Sequence, residues 1–165
     1  MKEEFYEILQ LAACSRDVRV YCRGEGPFSG SQAVSGAGRG AQRVLRLADA
    51  AAVQACALDI RPIAALQGEA GEPGERIVCA PADPSDDVDV VDRFFAPGCG
   101  IDEDPATGSA HCTLAPLYAD KLGRPEVRFR QVFPGRGGDI ATVLNGDRVL
   151  LRGQAVTVIE SRLRV

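Results

Sequence analysis

The feature that most constrains the fold of this chain is residues 107–122, which are apolar on nearly every side when drawn as a helix. Gly123 and Pro125 directly after the segment are typical helix stop signals. Pro116 within it should kink the helix or remove one backbone hydrogen bond. A helix that is apolar on all sides must be covered by other elements, so the pattern predicts a buried central helix. The apolar positions are Ala110, Cys112, Leu114, Ala115, Leu117, Ala119 and Leu122.

Short strand-like segments on both sides of this helix supply its cover. The predicted strands are residues 76–80 and 93–96 before the helix, and 127–133, 140–144, 148–152, 155–159 and 162–165 after it. Asn145-Gly146-Asp147 and Arg152-Gly153-Gln154 are compact turn signals between the later strands. Short strands joined by tight turns form antiparallel meanders. The predicted fold class is therefore α+β, with a mainly antiparallel sheet around one buried helix.

The first part of the chain has a different character. Residues 2–13 place apolar side chains at helical spacing and predict a short amphipathic helix, whereas residues 18–22 alternate and predict a strand. Residues 23–42 are rich in Gly and Ser and predict a linker or mobile loop. Residues 43–58 predict a second helix, and residues 63–66 a strand. We therefore divide the chain into an N-terminal helix and linker, 1–42, and a domain, 43–165.

Composition excludes several classes of function. The 165 residues carry a net charge of −4, which does not fit a nucleic-acid-binding surface. No apolar run reaches the length of a membrane span, and the acidic start of the chain does not resemble a signal peptide. We expect a cytoplasmic protein.

The six cysteines and single histidine do not form a metal-binding pattern. The cysteines show no C-x-x-C spacing, so we expect no metal site, and we expect free thiols, mostly in the core. No cofactor motif is visible, and we expect no cofactor. His111, in the first turn of the predicted helix, is interpreted as a core residue or as one that supports the site residues from behind, rather than as a catalytic one.

The loop before the central helix holds the candidate site. Three acids, Asp102-Glu103-Asp104, are followed by Pro105-Ala106 and then by Thr107, Gly108 and Ser109 where the helix begins. Helix starts carry unpaired N–H groups and partial positive charge, so they bind anions. A nearby carboxylate can transfer a proton. The pattern alone also fits a turn acid at Asp104 and ordinary N-capping by Thr107 or Ser109.

Residues 103–111, EDPATGSAH, resemble the signature of the PhzF-like family, named for an isomerase of phenazine biosynthesis. The resemblance continues upstream at residues 93–97 and downstream at residues 114–118, Gln131, 136–138 and 147–156, and covers roughly 44–165. It implies one half of a diaminopimelate-epimerase-like fold, whose sheet curls around a central helix. It also implies a biosynthetic, cofactor-independent proton shift on a small carboxylate-bearing metabolite. Asp104 would be catalytic, and Thr107, Gly108 and Ser109 would bind the substrate.

The family's N-terminal half should carry a Gly-Asn-Pro motif, a catalytic glutamate and a histidine, and residues 1–42 contain none of these motifs. Two hypotheses follow. The chain is an isomerase-family protein completed by a homodimer or a partner chain, or it is a non-catalytic truncated half-protein or small-anion binding module. A third idea, a two-thiol racemase using Cys99 and Cys112, receives little support because both thiols lie in one half.

Overall fold

The computed structural model of the protein describes residues 4–8, 18–22, 32–36, 43–61, 75–156 and 158–162. The strands are β1 (Glu4–Ile8), β2 (Val18–Cys22), β3 (Gln32–Gly36), β4 (Arg43–Arg46), β5 (Arg76–Pro81), β6 (Val90–Ala96), β7 (Ile101–Asp104), β8 (Glu126–Gln131), β9 (Gly138–Asn145) and β10 (Arg148–Ala155). The helices are α1 (Ala50–Gln54) and α2 (Gly108–Leu122), and a 3-10 turn covers Pro97–Cys99.

These ten strands form one open sheet in the order β1-β10-β9-β8-β6-β5-β4-β3-β2, and β7 pairs with β6 beside this path. The β4–β5 and β6–β8 pairs are parallel, and the other pairs are antiparallel. The predicted α+β class with a mainly antiparallel sheet is confirmed.

In the part of the chain that the structure describes, α2 covers one face of the sheet and α1 covers the other. On one face, α2 packs with Val44, Ile77, Phe94, Phe129 and Val149 into the larger core. On the other face, α1 packs with Val78, Val91 and Phe95 into a smaller core. Successive residues of a strand point to opposite faces, and both faces of β5 and β6 are covered by a core, so all seven residues of β6 and five of the six residues of β5 are buried.

The prediction of a buried central helix is confirmed. Its buried residues are Ala110, His111, Cys112, Leu114, Ala115, Tyr118 and Ala119. Gly123 ends α2 in the left-handed region at φ 66°, as its sequence predicted, and Pro116 lies within the helix. Leu122 departs from the pattern, because it is 43% exposed.

Three predictions in the first part of the chain were wrong where the structure describes it. Residues 4–8 form β1 instead of part of a helix over 2–13, because their backbone pairs with the long strand β10. Residues 32–36, predicted as linker, form β3 between β2 and β4. The helix predicted over 43–58 divides into β4 and α1, since residues 43–46 pair with two strands. Asp49 then caps α1 by accepting the Ala52 N–H at 2.8 Å. The strand predicted over 18–22 is confirmed as β2.

The sequence predicted several short C-terminal strands where the structure has one longer strand. Residues 152–154 read as a turn, but β10 runs through them to Ala155, because β1 pairs with residues 151–155. The strand predicted over 155–159 is therefore wrong beyond Ala155, and residues 158–162 are neither helix nor strand. The turn at Asn145-Gly146-Asp147 is confirmed, with Gly146 at φ 61°. The strand predicted over 63–66 and the end of the strand predicted over 162–165 lie outside the described residues.

A close backbone approach shapes the connection from β8 to β9. A Cβ atom on Gly137 would lie 2.0 Å from the carbonyl oxygen of Gln131, far inside any permitted contact. Only glycine fits at this position without a shift of the backbone. Gly153, on the neighbouring strand, has no such restriction, since its nearest atom would lie 3.9 Å from an added Cβ.

We predict that Gly137→Ala lowers the free energy of unfolding by about 1–3 kcal/mol, because the backbone at Gln131 must move to admit the methyl group. Gly153→Ala is the matched control and should change stability by less than about 1 kcal/mol. Urea unfolding of both variants measures the difference. Equal stability of the two variants would contradict the proposed close approach.

Candidate active site at the start of the central helix

Asp104 is the last residue of β7. It precedes Thr107, the N-cap residue of α2, by three positions. Its Oδ2 accepts a hydrogen bond from the Thr107 hydroxyl at 2.5 Å. Thr107 is the N-cap residue of α2, yet its side chain makes no capping hydrogen bond. The hydroxyl that would cap the helix is therefore used to hold the Asp104 carboxylate.

The buried Gln131 side chain fixes this loop to the sheet. Its Nε2 donates to the Asp104 carbonyl at 2.5 Å and to the Thr107 hydroxyl at 3.1 Å, and its Oε1 accepts the Thr107 N–H at 2.7 Å. Gln131 is the last residue of β8 and is fully buried. One carboxamide thus replaces the water that the loop backbone would otherwise bind.

His111 and Asp92 form a second buried polar group behind Thr107. His111 Nδ1 lies 2.7 Å from the Thr107 carbonyl oxygen, and Nε2 lies 3.3 Å from Asp92 Oδ2. Neither side chain is exposed. Burial lowers the pKa of His111, but the charge of Asp92 and its hydrogen bond outweigh burial and raise that pKa above its ordinary value. The interpretation of His111 as a core residue is confirmed.

The other two acids of the loop have separate positions. Glu103 pairs with the Arg93 guanidinium at 2.6 and 2.8 Å. Arg93 also donates to the Cys56 carbonyl at 2.5 Å, just beyond the end of α1, so this pair ties β7 to the smaller core. Asp102 is exposed. Asp104 is therefore the acid of the loop that faces the start of α2.

A cleft of about 1070 Å³ opens beside the helix start. Ala106, Gly108 and Gln131 line one part of it, and residues 151–155 of β10 with Val156 line another. Of the four predicted site residues, Gly108 lines the cleft. Asp104, Thr107 and Ser109 are its neighbours in sequence but do not belong to the lining. Thr107 is buried, Asp104 is half-buried and Ser109 is exposed.

The charged residues of the cleft are mainly basic. Arg130, Arg136 and Arg152 line it, together with the single acid Asp139 among the described residues. Asp139 is bound to Arg130 at 2.8 Å. Arg136 is exposed and forms no ion pair with any residue that the structure describes. Arg136 and Gly137 lead directly into β9, which begins at Gly138.

The cysteines do not support thiol chemistry. The four cysteines whose side chains the structure describes, Cys56, Cys79, Cys99 and Cys112, are free thiols. Cys99 is exposed and donates to Glu75 at 3.4 Å, and this hydrogen bond raises the pKa of the thiol. Cys112 is buried in the larger core. A raised pKa disfavours the thiolate that a two-thiol racemase requires.

The described residues show neither a metal-binding cluster nor a membrane-spanning helix. They hold no cluster of three or more His, Cys, Asp or Glu side chains that could bind a metal ion. Within the same residues, no helix is long and apolar enough to cross a membrane.

Sequence reasoning missed the roles of Gln131, Asp92 and Arg136. Asp92 gave a signal, because it is a charge within the apolar strand Val90–Ala96 and must find a partner when buried. Gln131 gave a weaker one, as a polar residue at the end of an alternating strand. Arg136 stands out only once the cleft is known.

Comparison with known proteins gives a consistent result. An uncharacterized isomerase of Pseudomonas aeruginosa is 47% identical over 77 residues, which cover 47% of this chain and 29% of that protein. A human phenazine biosynthesis-like domain-containing protein is 42% identical over 76 residues, covering 46% of this chain and 26% of that one. The matched segment thus spans less than a third of either relative.

Solved structures share the fold. A PhzC/PhzF phenazine biosynthesis protein structure from Clostridium difficile superimposes with a TM-score of 0.73 at 23% identity, covering 98% of this chain and 58% of that one. A PhzF-family protein from Enterococcus faecalis gives 0.61 at 26% identity, covering 95% and 55%. The profile of the PhzC-PhzF family, phenazine biosynthesis-like protein, matches residues 28–161. The chain therefore belongs to the phenazine biosynthesis-like PhzC-PhzF family.

Proposed function

We propose that this chain carries one half of an isomerase site, which binds a small carboxylate-bearing metabolite and shifts a proton on it without a cofactor. The observation that carries the proposal is the Asp104 carboxylate, held 2.5 Å from the Thr107 hydroxyl directly before a helix start that borders a large cleft. Family membership and the isomerase names of several relatives support the reaction class.

The carboxylate of the substrate would bind at the start of α2. Gly108 allows close approach to the backbone, and the helix dipole favours an anion there. Ser109 adds a hydroxyl at the same helix start. Arg136, which also lines the cleft, supplies a positive charge that no described acid neutralises. Guanidinium and carboxylate groups match in geometry, so this pairing favours an organic acid as ligand.

Asp104 would transfer the proton. One oxygen, Oδ2, accepts from Thr107, and the other makes no hydrogen bond with a described residue. That second oxygen is the one that could take a proton from a substrate carbon and return it to another. A carboxylate with one fixed and one available oxygen has a defined direction of attack.

A second acid–base group would come from outside the described residues. Asp139, the described acid that lines the cleft, is bound to Arg130 and is not available for this purpose. A homodimer or a partner chain would supply the missing group. We infer a cytoplasmic, biosynthetic role for such an assembly.

The same observation favours a second candidate function. With one carboxylate and a basic cleft, the chain alone could bind a small organic anion without converting it. Binding and turnover must therefore be measured separately.

We predict that Asp104→Asn reduces substrate proton exchange at least about 100-fold, the usual contribution of a general acid–base group. The assay incubates the chain in D2O with small aromatic and dihydroaromatic carboxylates and follows deuterium incorporation by NMR. Asp102→Asn, an exposed acid of the same loop, is the control and should keep full exchange. Exchange that survives Asp104→Asn would remove Asp104 from the mechanism. Binding without any exchange in the wild type would favour the binding module.

We predict that Arg136→Gln weakens binding of these carboxylates by about ten- to a hundredfold, the equivalent of about 1.5–3 kcal/mol for one charged hydrogen bond. Ser109→Ala should weaken it by a smaller factor. Calorimetric titration measures both dissociation constants. Arg148→Gln changes an arginine outside the cleft lining and should leave the affinity unchanged. Equal losses for Arg136→Gln and Arg148→Gln would show a general charge effect and contradict a site at Arg136.

A further inference from the structure

The register of two strands brings a buried acid next to the residues that hold the active-site loop. β6 and β8 pair in parallel with Asp92 opposite Gln131, and both side chains are fully buried. Asp92 contacts His111, and Gln131 contacts Thr107. Asp92 Oδ1 has no hydrogen-bond partner among the described residues, so within them the side chain of Asp92 depends on His111 for its hydrogen bonding.

The contacts of His111 determine how many protons this pair holds. A carbonyl oxygen can only accept, so the 2.7 Å contact with Thr107 requires a hydrogen on Nδ1. In a neutral ring Nε2 would then be a lone pair facing a carboxylate oxygen at 3.3 Å, which is repulsive. A second proton is needed between Nε2 and Oδ2. The geometry therefore requires one proton more than a neutral imidazole and an ionised carboxylate would hold.

We propose that His111 is held as an imidazolium by Asp92 and is a positioning residue, which fixes Thr107 and through it the Asp104 carboxylate. The imidazolium donates to the Thr107 carbonyl, and the Thr107 hydroxyl donates to Asp104. Loss of the proton from the pair leaves Nε2 against Oδ2 without a bond and loosens the N-cap residue. The site is then competent only while the pair keeps its proton. This inference rests on the proposed function for its effect on the ligand but not for its effect on Thr107.

The surroundings of the pair contain few other charges. From β8, the Phe129 ring meets the imidazole edge-on at 5.0 Å, and Gln131 is neutral. From β5, Cys79 is the cross-strand neighbour of Asp92, and burial raises its thiol pKa to about 12, so it stays neutral. Tyr118 from α2 donates to Cys79 and is also neutral. The charged groups Arg46 on β4 and Lys121 on α2 act on Cys79 and Tyr118.

The chain has a single histidine, so its imidazole can be observed without ambiguity. Long-range 1H–15N NMR of the untagged chain reports both ring nitrogens directly. We expect both to be protonated at pH 7 and to titrate above the ordinary histidine value of about 6.5. The Thr107 amide and the Asp104 carboxyl signal should move at the same midpoint. A ring that is neutral at pH 7, or a titration that leaves Thr107 and Asp104 unmoved, would overturn the proposal.

The variant Asp92→Asn tests whether Asp92 keeps His111 protonated. The His111 ring should become neutral at pH 7, and the Thr107 amide should shift. Asp120 is an exposed acid on α2, the helix that carries His111, and Asp120→Asn should change neither signal. A neutral ring with an unchanged Thr107 amide would show that His111 positions nothing. If Asp92→Asn does not fold, the wild-type titration above decides alone. These readouts need no ligand, so they separate this inference from failure of the proposed function.

The free energy of unfolding should depend on the protonation of the same His111–Asp92 pair. Because the folded pKa of His111 is raised, its contribution to stability is complete below about pH 6.5, where the unfolded chain is also protonated. Between that pH and the folded pKa of His111, only the folded state keeps the proton, so the contribution to stability decreases as pH rises. Above the folded pKa the contribution is gone. The urea midpoint should fall over this range in the wild type and not in His111→Gln. A midpoint that rises over this range in the wild type would contradict the raised pKa.

Discussion

A single buried carboxamide, that of Gln131, connects the sheet to the loop on which the proposed chemistry depends. It makes three hydrogen bonds, with the Asp104 carbonyl, the Thr107 N–H and the Thr107 hydroxyl. Without Gln131 the Asp104 carbonyl and the Thr107 N–H would lose these hydrogen bonds, and a buried polar group left without a partner costs about 1–3 kcal/mol. Gly137 completes the arrangement, because only a residue without a side chain lets the following loop pass over the Gln131 carbonyl. The position of Asp104 is thus a consequence of how β8 ends.

Alternation along β6 explains how one sheet supports different tasks on its two faces. Asp92 points to the α2 face and meets His111, while its neighbour Arg93 points to the α1 face and binds Glu103 and the end of α1. Both charges lie in an apolar strand, and both are paired, as buried charges must be. One strand therefore holds the loop before α2 from two sides, through Glu103 on one face and through His111 and Thr107 on the other.

The sequence allowed prediction of the central helix, its stop at Gly123 and the strands next to it, since these follow from local periodicity and turn chemistry. It did not allow prediction of β1, β3 and β4, because their conformation is set by pairing with other strands rather than by their own composition. The candidate site shows the same division. Asp104 and the helix start are contiguous and could be read from the sequence. Gln131 and Asp92 reach that site only through strand register, and the role of Arg136 depends on the shape of the cleft.

The central claim is that small carboxylates bind at the start of α2 beside Asp104. The most direct measurement is a backbone 1H–15N NMR titration of the chain with a small aromatic carboxylate. We predict saturable shifts at the amides of Gly108, Ser109 and Gln131, with no change at the amides of α1 on the opposite face of the sheet. Shifts confined to residues away from the cleft, or no shifts in a folded chain, would contradict the account.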